Sequence, residues 1–68
     1  MGIRDILAAN LRQHRQRQNV SQEELAHRAK VDRTYVSAIE RSVYGVTIDV
    51  LDRLAQALGV QASDLLKR

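Results

Sequence analysis

The stretch SQEELAHRAKVDRTYVSAIER, residues 21–41, decides the fold. Ser21 followed by Glu24 is a capping box: the serine oxygen can accept from the Glu24 amide while the glutamate reaches back. Leu25, Ala26 and Ala29 then supply the buried face of a short helix that ends near Lys30. Asp32 is a second helix start, and Arg33 to Arg41 continue as a helix with Val36 and Ile39 inward and Glu40 beside them. Its outward stripe is Arg33, Thr34, Ser37, Ala38 and Arg41, all polar or small. Two short helices joined by a turn of about three residues are the outline of a helix-turn-helix, here Gln22 to Arg41. Ala26 is the small residue that lets the two backbones approach. Val31 in the turn completes an apolar contact with Leu25, Val36 and Ile39.

Working outward, Ile3, Ile6, Leu7 and Leu11 recur at helical spacing, with Asn10 and His14 on the same face. A first helix is expected from about Ile3 to Gln18, with Asn19 as a left-handed stop. Ser42 to Val46 reads as a loop around Gly45. Thr47 caps a fourth helix with buried face Ile48, Leu51, Leu54, Ala55 and Leu58, ended by Gly59. A short last helix spans about Ala62 to Leu66. The expectation is an all-α, five-helix bundle forming a single domain over residues 1–68.

The 68-residue chain is 44% hydrophobic and 28% charged, with no cysteine and no proline. The lack of cysteine removes disulfides, thiolate zinc sites and thiol nucleophiles, and suits a reducing cytoplasm. No apolar run is long enough for a membrane span or a signal-peptide core. The net charge of +3 resides in residues 1–33, while residues 34–68 balance to zero. A basic half favours a polyanionic partner. His14 and His27 fit no metal spacing, and neither Ser21 nor Ser37 has a positioned base, so no metal, cofactor or catalytic residue is expected. The outer stripe of the third helix suits the major groove of double-stranded DNA. Arg pairs with guanine, Ser and Thr bond several base edges, and Ala meets a thymine methyl.

Several spaced motifs agree with one family. Leu11-Arg12-x-x-Arg15, Ser21-Gln22-x-x-Leu25-Ala26, Asp32-Arg33-Thr34-Tyr35-Val36-Ser37-x-Ile39-Glu40-Arg41 and Leu51-x-x-Leu54-Ala55-x-Ala57-Leu58-Gly59-Val60 together resemble the Cro-type, lambda-repressor-like helix-turn-helix family. The tract Asp32 to Arg41 is similar to the controller proteins of restriction-modification systems, small dimeric regulators. The resemblance implies a DNA-binding transcriptional regulator acting as a homodimer on a roughly palindromic operator. It implies base reading by Arg33, Thr34 and Ala38 with Ser37 close by. Gln22, Tyr35 and Arg41 would contact the DNA backbone, and Arg15 would pair with Glu40.

Val60, Ala62, Leu65 and Leu66, clustered near the last helix, are the expected dimer interface. No small-molecule effector site is evident. Three positions depart from the family pattern: Lys30 and Ser42 stand where glycine is common, and Val46 precedes Thr47 where proline is common. The alternative is a helical protein-interaction or antitoxin-like module whose helix-turn-helix serves mainly assembly. Such a module needs an apolar centre on the third helix.

Overall fold

Three side-chain oxygens set where helices begin. In a computed structural model covering residues 1–68, Ser21 Oγ accepts from the Glu24 amide at 3.0 Å. Asp32 Oδ2 accepts from the Thr34 amide at 2.9 Å, and Thr47 Oγ1 from the Val50 amide at 3.1 Å. Each satisfies an amide that the first helical turn leaves unpaired. The resulting elements are α1 (Ile3–Arg17), α2 (Gln22–Ala29), α3 (Arg33–Glu40) and α4 (Ile48–Leu58), closed by a 3₁₀ turn at Ala62–Leu66. The expected fifth helix is therefore a 3₁₀ turn; five residues give too few i→i−4 bonds to sustain an α-helix. Only half of the capping box at Ser21 forms, because the Glu24 carboxylate turns to Arg28 at 2.9 Å instead.

The stops are left-handed residues. Asn19, Lys30, Ser42 and Gly59 have φ of 56°, 59°, 61° and 68°. Only Gly59 adopts this conformation without a Cβ penalty; Lys30 and Ser42 each carry a strain of about 1 kcal/mol relative to glycine. In return, Lys30 allows the Val31 amide to close onto Ala26 O at 3.0 Å, and Ser42 allows the Val43 amide to close onto Ala38 O at 2.9 Å. These bonds turn the chain sharply at both ends of α3.

Leu11, Leu25, Val36, Ile39, Leu54 and Leu65 are fully buried and form the centre of the core, drawing one or more residues from every element. α2 packs on both α3 and α4, α1 lies against α3, and the 3₁₀ turn lies against α1 and α4. Side chains of α1 fasten the closing half: Asn10 donates to Leu65 O and Lys67 O at 3.1 and 2.8 Å, and Gln18 donates to Leu58 O at 2.7 Å. No helix is long and apolar enough to cross a membrane.

Two residues of the closing half sit opposite to expectation. Ile48, expected inward, is 84% exposed. The Thr47 cap fixes the phase of α4 so that Val50, Leu54 and Leu58 face the core. Ile48 then lies about 200° round the helix from Val50, at roughly 100° per residue. Leu65, expected at a dimer surface, is 0% exposed and belongs to the chain's own core.

Candidate nucleic-acid interface

α3 owes its position to one buried carboxylate. The Glu40 side chain is 1% exposed, and its oxygens accept from Arg15 Nε and Nη2 at 2.7 and 3.0 Å and from Gln22 Nε2 at 3.1 Å. Arg12 adds a bond from Nη2 to the Glu40 backbone carbonyl at 2.7 Å, and its Nε stands 3.7 Å from Oε1. Arg15 also reaches Val20 O at 3.0 Å, so the network ties α1, the α1–α2 turn and α2 to the last residue of α3. No buried side-chain polar atom is left without a partner. Burial pushes the Glu40 carboxyl up. The bonds from Arg15 and Gln22 and the charges of Arg15 and Arg12 outweigh that, and the carboxyl is held below its usual range. The hydrogen bond to Glu40 raises Arg15 in turn, against the effect of its own burial.

With its last residue anchored, α3 presents Arg33, Thr34 and, more shallowly, Ser37 to solvent. Arg33 makes no hydrogen bond or ion pair within the chain, so its whole guanidinium fork is available. Thr34 is partly committed: its hydroxyl, like its amide, bonds to Asp32 Oδ2. Those two bonds, hydroxyl first, hold the Asp32 carboxyl below its usual range. Arg41 leaves only a long 3.4 Å bond from Nε to Ser37 O, and its outer nitrogens are free.

Ala38 departs from expectation. It is 4% exposed, not part of the open stripe, because the chain folds back after Ser42 and Val43 bonds to the Ala38 carbonyl. Tyr35 is half-buried. Its hydroxyl donates to Gly45 O at 3.2 Å, and its ring meets Tyr44 edge-on at 6.3 Å, which stiffens the loop after α3. Gln22 lies where the start of α2 meets the end of α3, bonded to Glu40. Arg12 was not singled out by the sequence reading for this network. Its place three residues before Arg15, on the same side of α1, was the available signal.

The four residues expected at a dimer interface are not brought together. Leu65 is core, while Val60 and Ala62 line a polar hollow with Asp52 and Asp64. Leu66 instead joins Ile3, Val46 and Leu51 around an apolar hollow of about 340 Å³. Ile48 lies one turn before Leu51 on the same side of α4. No cluster of His, Cys, Asp and Glu is suited to a metal ion.

A helix-turn-helix family model matches residues 11–65. The chain is 45% identical over 64 residues to a hypothetical transcription factor of Neisseria meningitidis, covering 94% of this chain and 60% of that protein's length. It is 43% identical over 68 residues to the control protein C.SmaI of Serratia marcescens, covering all of this chain and 81% of the relative. Among solved structures, the Neisseria factor superposes with a TM-score of 0.94 at 44% identity, covering 97% of this chain and 76% of that one. The restriction-modification controller protein C.AhdI from Aeromonas hydrophila superposes with a TM-score of 0.89 at 32% identity, covering 91% and 94% of the two chains.

Proposed function

The chain belongs to the helix-turn-helix family of DNA-binding transcriptional regulators, and on that premise we propose that it binds a roughly palindromic operator as a cytoplasmic homodimer. In this reading residues 1–68 are one DNA-binding unit, without enzymatic activity, and its role is that of a restriction-modification controller. The observation that carries the reading is the free Arg33 fork at the start of a helix whose far end is locked by Glu40. Eight residues at about 1.5 Å each make α3 about 12 Å long, short enough to lie within the major groove with its first residues toward the base edges. Arg33 and Thr34 would read base edges, with Ser37 beside them. Arg41, Gln22 and Arg12 would face the backbone of one strand from the other end of α3.

Ala38 serves here through its small size, letting the helix seat closely, and Tyr35 acts by holding the loop. The relatives named as control proteins and the solved restriction-modification controller support the assignment to that class. The surface that brings two copies together is the apolar one formed by Ile3, Ile48, Leu51 and Leu66, away from α3. Reading and assembly thus use separate faces, and the polar, partly cationic face of α3 disfavours a module devoted to assembly alone.

Selecting bound fragments from a random DNA pool, followed by gel retardation at two salt concentrations, tests this reading. A recovered site with two inverted half-sites about 34 Å apart, bound more weakly as salt rises, is the expected result. Recovery of no sequence preference would contradict it.

A further inference from the structure

α3 and α4 scarcely touch each other, and α2 lies between them. On the α4 side of α2 is a hollow of about 350 Å³ lined by Arg28, Ala29, Lys30, Arg53, Gln56 and Ala57. The alanines are the reason it exists: their short side chains leave space between two helices, and three long cationic side chains reach around it. No carboxylate lines it. Arg28 spends its Nε on Glu24, but Lys30 and Arg53 have no acidic partner within ion-pair distance. Arg53 has Asp49 four residues before it on α4, the spacing of a helical ion pair, yet the pair does not form. Favourable charge at the end of α2 accounts for Arg28 and Lys30 but not for Arg53, which sits in the middle of α4.

We propose that this hollow is a binding site for a phosphoryl anion, distinct from the face of α3 that reads DNA. Lys30 and Arg53 lack a counter-charge and Arg28 has only Glu24, so an anion seated in the hollow gains attraction from all three. A carboxylate has one charge and two oxygens and would leave the cluster under-compensated. A phosphoryl group carries up to two charges and three outer oxygens, which two guanidinium forks and an ammonium can share. The volume lies at the small end of ligand sites, sufficient for a phosphate or diphosphate moiety. Lys30 opens the turn into α3, so occupancy of the hollow bears directly on the residue whose left-handed backbone sets that turn. A free phosphate monoester or diphosphate supplies this chemistry; a backbone phosphodiester of DNA, with one charge and two free oxygens, matches it no better than a carboxylate does.

The test uses the isotopically labelled full chain, without DNA, titrated with inorganic pyrophosphate at constant ionic strength while amide resonances are followed. A free-ester site predicts saturable shifts confined to residues 28–30 and 53–57, lost in the double variant Lys30→Asn, Arg53→Gln. Asparagine tolerates the left-handed backbone at position 30, and circular dichroism checks that the variant is folded. Absence of saturable shifts overturns the proposal, as does preferential saturation of the same amides by oligoglutamate. Because the pyrophosphate arm contains no DNA, its outcome is independent of whether the chain binds an operator.

Discussion

α2–α3 and α4 with the 3₁₀ turn are built from equally short elements, yet they are held in different ways. The first pair is locked by a buried carboxylate that collects Arg15, Gln22 and Arg12 at the end of α3. The second is held by apolar packing of Leu54, Leu58 and Leu65, with Asn10 and Gln18 clipping its carbonyls. Apolar packing is tolerant of small shifts, whereas a bidentate charged hydrogen bond fixes direction as well as distance. The difference places directional bonding under the helix proposed to read base edges. It places adaptable packing beside the apolar surface proposed to meet a second copy.

The comparison is broken most violently at residue 65. Leu65→Asp puts a charge into the core, and even loss of a buried leucine side chain costs about 2–5 kcal/mol, comparable to the whole stability of so short a chain. The variant is expected to be unfolded by circular dichroism. Ile48→Asp, one of the most exposed apolar positions, should keep its melting temperature at low concentration and lose self-association by 10-fold or more, as judged by sedimentation. Equal melting losses in the two variants would mean that core and assembly surface are not separate.

Glu40→Gln tests the locked half. Removing one partner of a buried ion pair costs about 3–5 kcal/mol, and the loss here falls toward the low end because glutamine keeps part of the hydrogen bonding. A chemical-denaturation midpoint equal to that of the parent would show that the network contributes nothing. The pH dependence follows in sign. The carboxyl is held below its unfolded value of about 4.3, so the stabilisation is complete above that pH and fades as pH falls through the lowered folded value. The parent should lose stability more steeply than Glu40→Gln below about pH 4.

The smallest effect belongs to the joint between the halves of the helix-turn-helix. Lys30 has φ of 59°, so Lys30→Gly should gain a few tenths to about 1 kcal/mol. A lower melting temperature would show that the longer side chain packs favourably enough to outweigh its backbone strain.

The locked half was largely legible in the sequence because its signals are local or paired by type. The caps at Ser21 and Asp32 and the left-handed stop at Asn19 appear where expected, and the Arg15–Glu40 pair forms as the family resemblance implied. The closing half was less legible. An isoleucine at the first position of α4 fits either an inward or an outward stripe until the cap fixes the phase, and that choice put Ile48 outside. Leu65 and Leu66 are adjacent leucines in a 3₁₀ turn, and nothing in their order says which one faces α1. Ala38 is covered by backbone returning through Ser42 and Val43, a tertiary effect that helical periodicity does not carry.

The central claim is that α3 reads bases with its beginning and grips the backbone with its end. It is tested by measuring Arg33→Ala and Arg41→Ala against a panel of single-base operator variants at two salt concentrations. Arg33→Ala should erase about 1–3 kcal/mol of discrimination at one position per half-site while weakening non-specific binding only modestly. Arg41→Ala should weaken every sequence alike and lower the salt slope by about one unit per monomer. Full parental base preference in Arg33→Ala would contradict the placement of α3 in the groove.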